Sequence, residues 1–407
     1  MHRIITLAGL VLLAALRLSA QTEAQPPVSL TWKDALDRAR QSSPAIFAAR
    51  MRIEEARGGA IGASRLFSSN PIVGVEAGRR SGDTSTNDYG IEVEQEIEIP
   101  RRRHARLDAA RAGVAQEEQR ALEVERETLR EVANTFLRAV EARERAEAAA
   151  SGRHLAEEAL HIAERRYNAG DVAQLDVNLA RTAVARAGAE VRVARAALAG
   201  YATQLQVLLG MTEPVMPDGS LRDAFALGPN TLPAAAAGRS DLRLLDAAIA
   251  EAEADQRFAR TLRWPDFGLR ASYGREEGDR IVMGGVGMSL PVFRRGREAT
   301  AIANARLTRL RAEREALLST IEAEVRGATT TLDALREAAV LYERTVLPLI
   351  EENEKLALES YEVGQISLAD LLLVRRDALD ARRAFIDQLI ETRLAEVDLR
   401  AQTGVWE

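Results

Sequence analysis

Near its C-terminal end the chain carries the stretch SYEVGQISLADL at residues 360–371. It interrupts a long segment, rich in Ala, Leu, Arg and Glu, that has helical character on both sides. Gly364 can adopt the left-handed conformation that ends a helix, and Ser367 is a suitable N-cap for the next helix. The stretch therefore predicts a tight turn between two long helices, and we call it the second tip.

The same turn occurs earlier in the chain, as RYNAGDVAQLDV at residues 166–177, which we call the first tip. The two tips share Tyr, Gly and Asp at a constant offset of 194 residues, as between Tyr167 and Tyr361. The Asn-Pro pair at residues 70–71 has a Trp-Pro counterpart at the same offset. Self-similarity at one fixed offset predicts a tandem repeat of a single structural unit.

Composition favours long helices over a large aromatic core. The chain has 407 residues and a formal net charge of −6, with 4% aromatic and 29% charged residues. This acidic balance gives no support for a nucleic-acid partner. Cysteine is absent from the sequence, which excludes disulfides and lipid attachment at an N-terminal cysteine.

Residues 1–20 have the features of a secretory signal peptide. A basic start is followed by an apolar run from Ile4 to Leu16 and by small residues before Gln21. The alternative is an N-terminal membrane anchor. No later apolar run reaches the length of a transmembrane helix, so we expect the mature protein to lie beyond the inner membrane of a bacterium.

Each repeat contains a pair of segments with strand periodicity, at residues 71–100 and 265–291. The clearest strand, residues 91–99, alternates Ile and Val with glutamate, and successive side chains of a strand lie on opposite faces. Its acidic face holds Glu92, Glu94, Glu96 and Glu98. The lengths suit tilted membrane strands, but four strands cannot close a barrel, so membrane insertion would require several chains. A soluble antiparallel sheet would give the same pattern.

Long helical segments follow the strand pairs. Residues 102–166 would span roughly 98 Å at about 1.5 Å per residue, which is typical of coiled-coil packing rather than of a compact globule. Pro348 predicts a kink in the corresponding helix of the second copy. The predicted organisation is a first repeat at 21–210, with its tip at 167–176, a Pro/Gly-rich linker at 211–239, and a second repeat at 240–407, with its tip at 361–370.

In the order and spacing of these elements the chain resembles the TolC-type outer-membrane efflux family. The resemblance rests on the two proline-bounded strand pairs, the repeat, both Tyr-x-x-Gly tips, and an opening formed by Leu30-Thr31-Trp32, Ala35-Leu36 and Ser43-Pro44. It implies a mainly α fold with β structure: long antiparallel coiled-coil hairpins and four membrane strands per chain. A homotrimer would complete a β-barrel in outer-membrane lipid and an α-barrel extending into the periplasm. The implied function is a passive exit duct for an inner-membrane pump, joined through a periplasmic adaptor (membrane fusion protein).

The same resemblance implies functional residues at the tips. It assigns adaptor contacts to Tyr167, Gly170 and Asp171, and to Tyr361, Gly364 and Gln365. It assigns a pore constriction to Asp370, with Asp176 as the counterpart at the first tip, because carboxylates held close together prefer cations. A second aspartate found in some members is Leu373 here. The alternative for Asp370 is an exposed carboxylate stabilised by the helix dipole.

Other patterns are weighed against simpler explanations. Within the implied barrel, Glu92, Glu94, Glu96 and Glu98 would face the lumen. Aromatic side chains near the strand ends would either form interfacial belts or pack ordinarily: Phe67, Tyr89, Trp264 and Phe293. The group His154, Glu157, Glu158 and His161 is expected to be a solvated helix face rather than a metal site.

No nucleophile–base pair, phosphate loop or metal cluster is recognisable in the sequence, so we expect no enzyme activity, cofactor or metal. The primary functional interpretation is an efflux duct for metal cations or drugs. The alternatives are the exit duct of a type I protein secretion system and a periplasmic or extracellular coiled-coil structural protein. An efflux adaptor is disfavoured, because this chain has two hairpins and four matched strands instead of a single hairpin.

Overall fold

A computed structural model describes residues 26–81, 85–223, 238–293 and 295–403. The expected signal peptide and residues 224–237 of the expected linker lie outside the described residues. The first copy of the repeat contains β1 (Val28–Leu30), α1 (Trp32–Ser42), α2 (Pro44–Ser64), β2 (Ile72–Arg80), β3 (Thr86–Ile97), α3 (Pro100–Asn168) and α4 (Gln174–Leu208). The second follows β4 (Val215–Pro217) and contains α5 (Ser240–Thr261), β5 (Asp266–Glu276), β6 (Asp279–Ser289), α6 (Arg297–Leu341), α7 (Leu347–Glu362) and α8 (Leu368–Thr403). The mainly α fold with matched strand pairs in a tandem repeat is thus confirmed.

The chain forms two compact units, and each draws on both repeats. Unit 1 comprises Met1–Ser43, Val132–Phe225 and Glu337–Arg393. Unit 2 comprises Pro44–Glu131, Ala226–Arg336 and Leu394–Glu407. The repeats are therefore interleaved within the units, with the sheet in unit 2 and the tips in unit 1. Among the described residues, no helix is both long enough and apolar enough to cross a membrane.

The sheet of unit 2 joins the strand pairs of the two repeats. Its order is β2-β3-β5-β6, all antiparallel, and the repeats meet where Val93 pairs with Ala271. One face is apolar and exposed, with Ile91 at 49% exposure. Its members are Val73, Val75, Ala77, Tyr89, Ile91, Val93, Ile97, Phe267, Leu269, Ala271, Tyr273, Val282, Val286 and Met288. Gln95 interrupts this apolar set and donates to the Ser69 carbonyl at 3.1 Å, and Arg79, Asn87, Arg275 and Arg280 lie on the same face at its far end.

The opposite face of the sheet, which we call the acidic face, consists mainly of carboxylates and glycines, with Ile72, Ile281 and Met283 as its apolar members. It carries Glu76, Glu92, Glu94 and Glu96, together with Arg270 and Ser272. Between them lie Gly74, Gly78, Gly90, Gly268, Gly274, Gly285 and Gly287. The alternation predicted for residues 91–99 is confirmed for Glu92, Glu94 and Glu96, which lie on the face opposite Ile91, Val93 and Ile97. It is wrong for Glu98, which lies beyond the end of β3.

Arginines of the first turns of α3 join the helices to the base of the sheet. Arg102 is buried, pairs with Asp266, and donates to the Trp264 carbonyl at 2.6 Å, beyond the end of α5. Arg103 and Arg106 donate to carbonyls at the end of α2, including that of Ala63 at 2.7 Å. Carbonyls at a helix C-terminus lack intrahelical donors, so these guanidinium groups satisfy them.

Gly296, just before α6, is required by the backbone geometry of this base. Its φ is +66°, and an added Cβ would lie 2.9 Å from both the Ala259 carbonyl oxygen and the Leu262 Cβ. A left-handed backbone costs other residues about 1–2 kcal/mol, and the backbone contact adds to this.

We expect Gly296→Ala to lower the free energy of unfolding by about 2 kcal/mol, because alanine adopts this backbone conformation only with strain. Urea unfolding, with its lowered midpoint, measures the change. Gly327→Ala, in open space on α6, is the control and should stabilise by about 0.5–1 kcal/mol; equal midpoints for the two variants would contradict the assignment.

Unit 1 contains two features beyond the predicted hairpins. The short parallel pair of β1 and β4 brings Val28 beside Val215, and the sequence analysis did not predict it. A π-helical turn, Tyr342–Val346, interrupts the second long helix just before Pro348. The amide of Leu347 bonds to the Tyr342 carbonyl across this turn. The predicted irregularity at Pro348 is therefore a local widening of the helix, which accommodates a residue without an amide donor.

Candidate functional site

Both tips have the same backbone structure. At the second tip the Gly364 amide donates to the Tyr361 carbonyl at 3.1 Å, and the Gln365 amide to the Ser360 carbonyl at 2.8 Å. At the first tip Gly170 and Asp171 donate to Tyr167 and Arg166 at 3.0 and 2.9 Å. These paired bonds form the Schellman motif, in which a residue with positive φ ends a helix. The φ values of Gly170 and Gly364 are +85° and +79°, so the prediction that these glycines end the helices is confirmed.

A small apolar core holds the two hairpins together next to the tips. It is formed by residues from four helices, α3, α4, α7 and α8: Ala159, Ile162, Ala163, Ala180, Ala357, Tyr361, Leu368 and Leu371. Tyr361 is its largest member, with 1% of its surface exposed. Half of its members are alanines, which pack beside the larger Ile162, Tyr361, Leu368 and Leu371.

Arg166 of the first tip reaches the second tip. Its Nη1 donates to the Tyr361 carbonyl at 3.0 Å, and its guanidinium carbon lies 5.0 Å from the centre of the Tyr361 ring. The interaction combines a charge-assisted hydrogen bond with a cation–π contact. Sequence analysis missed this residue, although a signal existed: the position equivalent to Arg166 in the second tip is Ser360, a difference between otherwise similar copies.

The Tyr361 hydroxyl is buried and has no hydrogen-bond partner within the described part of the chain. Burial raises the pKa of this phenol, and the carboxylate of Asp176 raises it further, while Arg166 opposes the shift. The side chain is therefore a neutral phenol at physiological pH. Tyr361 acts as a packing residue of the tip.

The residues expected to contact an adaptor differ in accessibility. Tyr167 is 43% exposed, and its counterpart Tyr361 is buried. The remaining four expected residues are all on the surface: Gly170, Asp171, Gly364 and Gln365. The accessible surface of the tips is thus formed by the turns themselves and by the tyrosine of the first tip.

Asp370 is held by a capping box at the start of α8. Its Oδ2 accepts from the Ser367 hydroxyl at 2.7 Å and from the Ser367 amide at 3.1 Å, while the Asp370 amide donates to Ser367 Oγ at 3.2 Å. These bonds to the ionised form hold the pKa of Asp370 below its usual value. The carboxylate is exposed, so it is oriented yet open to solvent.

The counterpart carboxylate at the first tip lacks this arrangement. The N-cap of α4 is Ala173, at the position equivalent to Ser367, and it makes no side-chain cap. Asp176 is half-buried. The residue that replaces a second aspartate, Leu373, is exposed. Of the two aspartates assigned to a constriction, only Asp370 is thus fixed by its own neighbours among the described residues.

The glutamates of the first strand pair fall into three environments. Glu92 and Glu94 are half-buried and both bind Arg270, at 3.1 and 3.0 Å. Glu96 is exposed and has no ion pair within the described residues. Glu98 lies beyond the end of β3, where its side chain is 5% exposed and binds Arg106 at 2.7 Å. The structure therefore brings a single cation to the middle of the acidic face and takes Glu98 into the helix junction.

The histidine–glutamate group on α3 has ordinary helix-surface contacts. Glu157 pairs with Arg153 at 2.8 Å, one turn away, and Glu158 pairs with Arg375 of α8 at 3.1 Å. Both carboxylates are therefore engaged by arginine, which fits the expectation of a helix face for the group that includes His154 and His161.

Comparison with known proteins identifies the class of this molecule. The family model described as Outer membrane efflux protein matches residues 35–211 and 231–405, one match for each repeat. The chain therefore belongs to the outer membrane efflux protein family, which is a family of efflux channels and not of enzymes.

Solved structures share the fold at low sequence identity. A membrane protein from Pseudomonas aeruginosa superposes with a TM-score of 0.78 at 22% identity, covering 91% of this chain and 90% of that chain. The structure of CusC, whose description concerns folding and transmembrane channel formation, superposes with a TM-score of 0.76 at 18% sequence identity and covers 91% of each chain. The Campylobacter jejuni CmeC outer membrane channel superposes with a TM-score of 0.76 at 17% sequence identity, covering 92% of this chain and 85% of that chain. No curated protein matches this sequence.

Proposed function

We propose that the protein is the outer-membrane exit duct of a tripartite efflux system. It conducts substrates passively from a periplasmic adaptor and an inner-membrane pump to the exterior. The observation that carries the proposal is the two-faced sheet of unit 2, with one exposed apolar face and one face of carboxylates and glycines. An apolar face of this extent, left open to water, would be a liability for a soluble protein; against lipid it is stabilising.

The edges of the sheet support a trimer. β2 and β6 each have a partner on one side only, so their outer backbone groups are free to pair with another chain. Lipid does not tolerate unpaired edges, and three four-stranded sheets supply the twelve strands of a closed barrel. In that barrel the acidic face lines the lumen. Along the chain, the two repeats are residues 21–210 and 240–407, joined by a linker at 211–239.

Charge on the lumen side favours cationic substrates. Glu76 and Glu96 have no ion pair within the described residues, and the single Arg270 is shared by Glu92 and Glu94. A metal cation or a cationic drug would therefore meet net negative charge. Charge rings of this kind set the preference of a wide pore without a tight binding site.

The tips supply the adaptor surface and the constriction. The adaptor contacts the exposed turn residues Gly170, Asp171, Gly364 and Gln365 together with Tyr167, while Tyr361 supports them from within. We assign the constriction to Asp370 on the family resemblance, and the capping box would hold its carboxylate in a fixed, solvent-open orientation there. Opening then requires the tips to separate.

Conductance in a planar bilayer tests the proposal. The purified mature protein should insert, give a small cation-preferring conductance, and migrate as a heat-sensitive trimer in detergent. These properties follow from a closed acidic barrel narrowed at one end. A well-folded sample that needs no detergent and gives no conductance would instead support a soluble coiled-coil structural protein.

A further inference from the structure

The base of the sheet in unit 2 carries exposed arginines that lack acidic partners. They lie on the segments leading into and out of the four strands, and within the described residues none forms an ion pair. We call this set the arginine girdle: Arg65, Arg101, Arg260, Arg263, Arg295 and Arg297. These segments adjoin the ends of the four strands that lie together at one end of the sheet, since Ile97 pairs with Phe267 and Asp266 with Ser289.

The acidic residues nearby leave most of this positive charge uncompensated. Glu98 is already paired with Arg106, and Asp266 with Arg102. Asp108 and Glu298 are the exposed carboxylates that remain in the flanking turns. At the opposite end of the sheet, by contrast, Arg80 lies beside three carboxylates, those of Asp88, Glu276 and Glu277. Arg79, Arg275 and Arg280 also lie at that end without an ion pair among the described residues, but Asp88, Glu276, Glu277 and Asp279 balance the four arginines there. The excess of positive charge therefore lies at the base.

Large apolar side chains are exposed beside the girdle. Phe293 is 98% exposed, and the Arg263 guanidinium lies 5.5 Å from the centre of the exposed Trp264 ring. The other exposed members are Leu66, Phe67, Leu290 and Val292. Aromatic side chains with adjacent arginines are typical of the level where lipid headgroups meet acyl chains.

A cavity of about 870 Å³ opens among these residues. Its lining includes Trp264 and Phe293 on the apolar side and Arg295 and Arg297 on the basic side. Arg102 also lines it but is paired with Asp266, and Glu298 is the second carboxylate of the lining. The volume lies in the range of small-molecule sites. The site therefore offers cationic donors, an apolar wall, and room for a phosphate-bearing headgroup.

We propose that the arginine girdle and this cavity bind the phosphate groups of anionic phospholipids in the periplasmic leaflet of the outer membrane. The inference rests on the proposed function, which sets the sheet in that membrane with its base towards the periplasm. The bound lipids fix the depth of the strands and stabilise the junction between strands and helices. Charge complementarity carries the argument, because unpaired guanidinium groups beside apolar side chains match an anionic headgroup beside its acyl chains.

The test measures stabilisation by added lipid in detergent at low salt. The unfolding midpoint of the mature protein is followed while phosphatidylglycerol, phosphatidylcholine or inorganic phosphate is titrated. Phosphatidylglycerol should raise the midpoint most. The variant Arg263→Gln/Arg295→Gln/Arg297→Gln should need roughly 100-fold more of it for half the effect, at about five-fold per arginine.

The matched control removes the same charge elsewhere. Arg186, Arg192 and Arg195 of α4 are exposed and have no ion pair within the described residues, and their triple glutamine variant should respond like the wild type. Half a molar salt should weaken the wild-type response, a check that needs no variant. Equal lipid responses in the two triple variants would overturn the proposal, and an equal response to inorganic phosphate would overturn the lipid as its source. Bilayer conductance of the same samples reports separately on the duct, so either hypothesis can fail alone.

Discussion

Asp370→Asn is expected to remove most of the cation preference of the single-channel conductance. Three copies of this carboxylate would meet at the constriction of the trimer, where each attracts cations and repels anions. By Coulomb's law, three unit charges within about 8 Å of an ion in water change its local concentration roughly ten-fold. Asparagine retains the size of the side chain and an oxygen that can accept the bonds from Ser367, so the change isolates charge. The measurement is the reversal potential under a salt gradient.

The capping box provides the control for this substitution. Ser367→Ala removes the hydroxyl that donates to Asp370 but leaves the carboxylate in place. We expect this variant to retain the cation preference and to unfold at a slightly lower temperature, because an N-cap hydroxyl is lost. Loss of selectivity in the serine variant alone would show that Asp370 acts through the cap and not through its charge.

The pH dependence of the same channel has a defined sign. Hydrogen bonds from Ser367 lower the pKa of Asp370, so the carboxylate stays ionised below the pH at which a free aspartate takes up its proton. Cation preference due to Asp370 should therefore persist through mild acid and disappear only as the pH falls through this lowered pKa. The stability that the box contributes is lost over the same interval. A preference that vanished in mild acid would show that carboxylates other than Asp370 set the selectivity.

Gly364→Val is expected to impair coupling to the adaptor by roughly ten-fold while the trimer remains intact. Gly364 has φ +79°, and an added Cβ would lie 3.5 Å from Nη2 of Arg166. Valine in a left-handed conformation costs about 1–2 kcal/mol, which corresponds to roughly ten-fold in the population of the native turn. A β-branched side chain also intrudes between Arg166 and the turn, so the surface of the second tip changes shape. Drug susceptibility of a strain carrying the variant, and recovery of the adaptor with the tagged duct, measure the effect.

A second glycine serves as the reference for the tip substitution. Gly200 lies on α4 with no neighbouring atom within 4 Å of an added Cβ and an ordinary helical backbone. Gly200→Val should leave adaptor recovery, trimer yield and efflux unchanged. If Gly364→Val also preserved export, the tip would not be the coupling surface.

Local features of this fold could be predicted from the sequence, but contacts between residues far apart in the chain could not. The helix ends at Gly170 and Gly364 were predictable because a Schellman motif depends on one residue and its immediate neighbours. The strand faces were predictable because alternation is a local property of the backbone. The contact between Arg166 and Tyr361 was not, since it joins two repeats through a helix packing that no local pattern encodes.

The candidate site shows the same division. The role of Asp370 was assigned through the family resemblance. Ser367 was predicted as an N-cap, but its capping box with Asp370 was not predicted. The compensation of Glu92 and Glu94 by Arg270 depends on the register of β3 against β5, where Glu94 lies opposite Arg270. Glu98 was predicted to continue the alternation of the strand, but β3 ends at Ile97, and the Glu98 carboxylate forms an ion pair with Arg106 of the following helix.

The glycines of the acidic face bear on how broad a range of substrates such a duct can accept. Where a glycine lines the wall, a passing molecule meets backbone that is already hydrogen-bonded within the sheet, with no side chain to grip it. Conduction requires weak, easily released contacts, and a wall with few side chains supplies few others. In the proposed duct, discrimination among cationic substrates would therefore be left mainly to the pump that loads it.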